Sequence, residues 1–169
     1  MRKKFIALGM FTAVALMGIG TTDTPKGLIW EKIPVEAKMH TRTFTEREEQ
    51  ILLTIATAEA ESEHAEGMRK VMEVVLNRVE SQNYPDTIEG VVFQKTPCVQ
   101  FSSTTNGRYE RCGIADGAMD ALEAIELNGV QDKEIVAFEL STNRDLEKWY
   151  EYKYTVGCHS FYTEKGAIK

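Results

Sequence analysis

Four glutamates and a histidine crowd one short segment, Ala58-Glu59-Ala60-Glu61-Ser62-Glu63-His64-Ala65-Glu66-Gly67. Carboxyl groups at such density can do acid–base work, provided that one of them is held out of bulk water. The residues before the segment carry an apolar stripe at Ile51, Leu52, Ile55 and Ala58. At about 100° per residue, Glu59 falls between Leu52 and Ile55 on the helical wheel. A carboxylate on that stripe, near the end of its helix, is expected to be partly desolvated. Desolvation favours the protonated acid, which is the form that donates a proton to a leaving oxygen. Glu61 and Glu66 lie off the stripe and read as solvated acids. Glu63 either orients Glu59, raises its pKa by like-charge repulsion, or caps or solvates the junction.

Other chemistries find less support. The three histidines, His40, His64 and His159, form no His-Glu-x-x-His pattern, and no Cys-x-x-Cys is present. Glu59 and His64 would not share a face of a continuous helix. Zinc hydrolysis is therefore disfavoured, and no metal or other cofactor is expected. A Gly-x-Ser-x-Gly elbow and glycine-rich phosphate loops are also missing. Cys158 and His159 are neighbours, and neighbours on a strand point to opposite faces, which disfavours a nucleophile pair. The net charge of −6 argues against nucleic acid as a partner.

The chain has 169 residues, enough for one domain and a leader. Arg2, Lys3 and Lys4 precede an uncharged, mostly apolar run from Phe5 to Ile19, and Gly18 and Gly20 precede a polar stretch. Residues 1–20 fit a signal peptide, so a secreted, extracytoplasmic location is expected. An uncleaved anchor is the alternative, although the run is short for a spanning helix. Residues 21–44, with Pro25 and Pro34, read as a linker, and residues 45–169 as the catalytic domain, expected to act as a monomer. Of the three cysteines, Cys98 and Cys112 flank a turn at Asn106-Gly107, and a hairpin there would allow a disulfide.

Positioning the acid falls to the surrounding elements. Thr45-Glu46-Arg47-Glu48 is a capping box that starts a helix running to about Glu61. A second helix is expected from His64 to about Glu80, with Met68, Val71, Met72, Val75, Leu76 and Val79 inward. Arg69, Lys70 and Glu73 are expected to face water. Thr87 caps a short helix over Ile88 to Gln94. Short strands are expected at 99–102 and 108–109, joined through the Asn-Gly turn. A third long helix spans Asp116 to Leu127, with Ala118, Met119, Leu122 and Ile125 inward, and stops at Asn128-Gly129. Strands are expected at Ile135 to Leu140 and at Thr155 to Thr163. The fold class is α+β, mostly helical, with a small antiparallel sheet.

The acidic segment, followed by Val74-Val75-Leu76-Asn77-Arg78-Val79, resembles the cell wall hydrolase SleB family, the spore-cortex-lytic type. That family carries Gly-Glu-Ala-x-Gly-Glu…Glu-Gly leading into Val-Leu-Asn-Arg-Val. The likeness continues through Tyr84-Pro85-Asp86-Thr87-Ile88-Glu89-Gly90-Val91-Val92-Phe93-Gln94, then Gln100-Phe101-Ser102, Asn106-Gly107-Arg108 and Val156-Gly157-Cys158-His159-Ser160-Phe161-Tyr162. The resemblance implies a lysozyme- or transglycosylase-like domain that cleaves the glycan strand of peptidoglycan. It places the catalytic acid at Glu59. It makes Glu63, Gln100, Phe101, Tyr109 and His159 the candidate substrate-binding residues. Ala58 and Ser62 stand where the family pattern has glycine, which keeps a non-catalytic wall-binding or assembly module as the alternative.

Overall fold

The computed structural model describes residues 42–166. The expected signal peptide and nearly all of the expected linker lie outside the described residues. Among the described residues, no helix is long and apolar enough to cross a membrane.

Three helices form the main layer: α1 (Glu46–Ala60), α2 (Ala65–Glu80) and α5 (Asp116–Asn128). Two shorter ones, α3 (Ile88–Val92) and α4 (Arg108–Arg111), close its sides. The capping box forms as expected: Glu48 N–H donates to the Thr45 hydroxyl, and Thr45 N–H donates to Glu48 Oε2. Helix α1 is buried on nearly every side, with Ile51, Leu52, Ile55 and Ala56 wholly inaccessible. It lies at the centre of the core, against α2, α3 and α5. A helix so enclosed brings its last turn to the interior edge of the fold, and Glu59 rides on that turn.

The sheet is antiparallel, with strands β1 (Ile135–Leu140), β2 (Tyr150–Val156) and β3 (His159–Glu164) in the order β1-β3-β2. Pairing registers Phe138 with Phe161 and Leu140 with His159, and on the other side Tyr154 with Phe161 and Thr155 with Ser160. One face carries Phe138, Tyr154 and Phe161 onto Val74 of α2. Its opposite face carries Tyr152, Thr155, Ser160 and Tyr162. The class is thus α+β and mostly helical, as the sequence implies.

Several local expectations are corrected. Residues 155–163 are not one strand: Gly157, at φ +55°, turns the chain between β2 and β3. The expected hairpin at 99–109 is helical instead, a 3₁₀ turn at Ser102–Thr104 followed by α4. Its hydrogen bonds are local: Thr105 and Asn106 donate backbone N–H to the Ser102 carbonyl, and Arg108 N–H donates to Asn106 Oδ1. Asn-Gly supplies the expected left-handed turn, at Gly107 with φ +77°, but that turn leads into a helix. With no hairpin to join them, Cys98 and Cys112 are free thiols, and Cys112 Sγ turns toward the Thr54 carbonyl. In α5 Met119 is exposed, and Ala121 joins Ala118, Leu122 and Ile125 inside.

Lys70 and Glu73 do not face water. Glu73 is fully inaccessible, pairs with Lys70 Nζ at 2.7 Å and accepts the Gln131 N–H at 3.1 Å. A wheel cannot foresee this, because the sheet and its leading loop cover the polar side of α2. Beside them Asp132 accepts from Lys153 Nζ and from the Tyr154 hydroxyl, each at 2.7 Å. Burial pushes the Asp132 carboxyl up, but these hydrogen bonds outweigh it and hold the group below its ordinary value of 3.8. A depressed carboxyl contributes stability that is full above the unfolded value and is lost as pH falls through the folded one. Thermal melts of wild type and Asp132→Asn should therefore converge as pH drops from about 5 to below about 3. A gap that stays constant over that range would contradict this role.

Candidate active site

Glu59 is half-buried on the last full turn of α1. The Ser103 hydroxyl donates to its Oε1 at 2.5 Å, and Ser103 itself is only 2% exposed. Ser103 lies in the 3₁₀ turn that follows Phe101. That phenyl ring is buried, at 6.0 Å from the Phe138 ring, with the Arg78 guanidinium 5.4 Å above it. Phe138 in turn meets the His159 ring edge-on at 5.3 Å. A continuous aromatic floor thus runs from the Ser103 turn to the start of β3.

The family-like Leu76-Asn77-Arg78-Val79 run helps to hold this floor. Asn77 Nδ2 donates to the carbonyls of Asp132 and Ile135, at 2.7 and 2.8 Å. Arg78 Nε donates to the Val136 carbonyl at 2.6 Å, and its guanidinium also lies over the Tyr84 ring. Both side chains satisfy backbone groups where β1 begins, so they fix the sheet to α2. Their role is architectural.

Glu63 closes the other end of the floor. Its side chain is 4% exposed, and its Oε1 lies 2.6 Å from His159 Nδ1, itself in a side chain 8% exposed. The same oxygen accepts the Cys158 N–H at 2.9 Å. Two glycines make room for this carboxylate. A Cβ at Gly67 would overlap Glu63 Oε2, and one at Gly157 would sit 2.8 Å from its Cδ. Oε2 is buried and has no protein partner. Glu63 therefore clamps the α1–α2 junction to the β2–β3 turn.

The structure thus brings Glu59, Glu63, Phe101 and His159 into one assembly and gives them unequal parts. Glu59 keeps exposure. Phe101, expected as a substrate-binding residue, is 1% exposed and serves as floor. Glu63 and His159 are also enclosed and bind each other. Gln100 lies at the rim, its side-chain amide 3.1 Å from Cys98 Sγ. Tyr109 packs edge-on against Phe93 at 5.2 Å, on the rim of the helical core. Burial pushes its hydroxyl up. Sequence reasoning missed Ser103. The readable signal was the Phe101-Ser102-Ser103 run, but a strand reading hid the 3₁₀ turn that aims Ser103 at α1.

The other carboxylates of the acidic segment are engaged elsewhere. Glu61 is exposed and pairs with Arg108 at 3.3 Å, and Glu66 is exposed. Among the described residues, no cluster of three or more His, Cys, Asp or Glu side chains could hold a metal ion. Ala58 is 2% exposed, with its methyl in the core, and Ser62 faces solvent.

A family model described as cell wall hydrolase matches residues 62–162. The catalytic domain of the germination-specific lytic transglycosylase SleB from Bacillus anthracis is similar in structure. Its TM-score is 0.59 at 21% identity, over 72% of this chain and 98% of that one. The catalytic domain of the Bacillus cereus SleB protein gives a TM-score of 0.58 at 22% identity, over 86% of this chain and 100% of that one. No curated protein matches in sequence.

The clamp makes a stability prediction. Glu63→Ala leaves the buried His159 ring nitrogen without its partner, and a buried orphan group costs about 1–3 kcal/mol. Chemical denaturation should show a loss of that order, and Gly67→Ala should also destabilise by displacing the same carboxylate. Wild-type stability in both variants would contradict the clamp.

Proposed function

The chain belongs to the cell wall hydrolase family, and from that premise we propose that it cleaves the glycan strand of peptidoglycan with Glu59 as its lone acid and base. The observation that carries this reading is the inequality among the carboxylates. Glu59 is half-buried and reachable, with one oxygen held by Ser103. Glu63, the next candidate, is enclosed and committed to His159 and Cys158.

A retaining glycosidase needs a second carboxylate as nucleophile, and an inverting one needs a second carboxylate as base. With Glu63 committed and Glu61 paired outside, neither role has a ready occupant in this segment. The substrate can supply the missing nucleophile. Glu59 protonates the glycosidic oxygen following a muramic-acid residue, and the C–O bond breaks with oxocarbenium character at the anomeric carbon. The 6-hydroxyl of the same sugar attacks that carbon while Glu59, now a carboxylate, takes the hydroxyl proton. The product is a 1,6-anhydro end, and Glu59 is again the acid. Because ring closure is intramolecular, proximity replaces a positioned water. Ser103 fixes the carboxyl rotamer through both proton transfers.

This is the lytic-transglycosylase outcome. Attack by water would make the same site a muramidase. The non-catalytic wall module gains nothing from Ala58 and Ser62, since one packs in the core and the other faces solvent. A secreted protein acting at the wall fits the substrate, as does the N-terminal leader read in the sequence.

Purified wild type and Glu59→Gln, incubated with peptidoglycan, test the assignment through the muropeptides released. Loss of general acid–base catalysis should lower release by about 10²- to 10⁴-fold. Equal release by both proteins would overturn it. Ser103→Ala should lower kcat by about tenfold or more with KM little changed, because the hydroxyl orients the acid rather than the glycan. A change confined to KM would place Ser103 in substrate binding.

A further inference from the structure

The sheet face turned away from α2 is not a plain solvated surface. It forms one wall of an open groove of about 640 Å³, whose other wall is the loop from Ser141 to Glu147. That volume lies within the range of sites that take small ligands. The loop is fixed in place: Glu139 accepts the backbone N–H groups of Asp145 and Leu146 and also the Tyr162 hydroxyl, the last at 2.7 Å. Tyr162, 1% exposed, forms the groove's floor, and burial and that carboxylate push its hydroxyl up. Tyr152 stands beside it edge-on at 5.9 Å and is 50% exposed.

Hydroxyls line this face in a row. Tyr152 OH lies 3.1 Å from Thr155 Oγ1, which lies 3.0 Å from Ser160 Oγ, and in both contacts either atom can donate. The exposed members, Tyr152 and Thr155, can meet a ligand's hydroxyls whichever way they point, because each can switch between giving and accepting, while buried Ser160 backs them. The exposed Tyr152 ring offers an apolar face with a polar tip. Sugars present the matching chemistry: hydroxyls around an edge and a C–H face on the ring. Charges at the groove are balanced, Arg144 pairing with Glu147 at 3.2 Å, which favours a neutral polyol over an anionic peptide.

Backbone hydrogen bonds tie the groove's edge to the Glu63 clamp. Ser141 N–H donates to the Cys158 carbonyl at 2.8 Å, and Cys158 N–H is the one held by Glu63. We propose that the groove of Tyr152, Thr155, Ser160 and Tyr162 is a second glycan-binding site, which holds a distant part of the strand that Glu59 cuts. This rests on the peptidoglycan reading for the identity of the strand, and on the groove's own chemistry for its binding.

The test uses the full chain carrying Glu59→Gln, so that bound glycan persists. Its binding to peptidoglycan glycan strands stripped of stem peptides, with the freed lactyl carboxyl groups converted to amides, is measured with and without Tyr152→Ala or Thr155→Val. Tyr152→Ala should weaken binding about tenfold and Thr155→Val about threefold, at unchanged melting temperature. Free stem peptide should not compete. If Tyr152→Ala melts early, Thr155→Val reads the same site with a smaller change. Unchanged affinity in the folded variants, displacement by free stem peptide, or no glycan binding at all would overturn the proposal. Muropeptide release by wild type separates the two readings. Tyr152-dependent binding without release would sink cleavage and support the groove, whereas release with binding indifferent to both substitutions would sink the groove alone.

Discussion

A buried carboxylate ties the end of α1 to the β2–β3 turn, beside the bonds by which Asn77 and Arg78 fix β1 to α2. Glu63 leaves the α1–α2 junction and ends in the β2–β3 turn, on the Cys158 N–H and the His159 ring. Its burial is tolerable only because hydrogen bonds meet it, and it is possible only because Gly67 and Gly157 lack side chains. Gly157 carries a second demand, since its positive φ makes the turn itself. Remove the carboxylate and the β2–β3 turn loses its direct link to the end of the helix that bears Glu59. The aromatic floor of Phe101, Phe138 and His159 depends on the same tie.

The clamp also explains why neighbouring glutamates differ so much in what they can do. Glu59, Glu61, Glu63 and Glu66 follow one another closely in the chain. The end of α1 separates them into a half-buried acid, a solvent-facing partner of Arg108, a buried tie and an exposed residue of α2. Under the proposed mechanism the chemistry falls to one acid, because the fold spends its second candidate carboxylate on architecture.

How much of this was legible in the sequence follows the range of the forces involved. Capping at Thr45, the apolar stripes of α1 and α2, and the span of β1 are set by residues near one another, and they read correctly. The phase of Glu59 is local as well, but α1 is enclosed on nearly every side, and Glu59 stays half-buried because it lies at the helix end. What did not read depends on distant covering. Lys70 and Glu73 are polar on the wheel, yet the sheet lies over them. Asn106-Gly107 gives its left-handed turn, but whether a strand or a helix follows is decided by packing against α1. Ser103 and the Glu63–His159 pair join residues far apart in the chain, 44 and 96 positions respectively, and no single-sequence pattern links them. The motif likeness pointed at the right segments without revealing that Glu63 and Phe101 are enclosed.

The central claim is that the substrate's own hydroxyl, and not water, completes the reaction that Glu59 begins. Digestion of peptidoglycan in water enriched in oxygen-18, with mass spectrometry of the new glycan ends, tests it most directly. The account predicts 1,6-anhydro ends that carry no label. Reducing ends that carry the heavy isotope would show that water is the nucleophile and would contradict it.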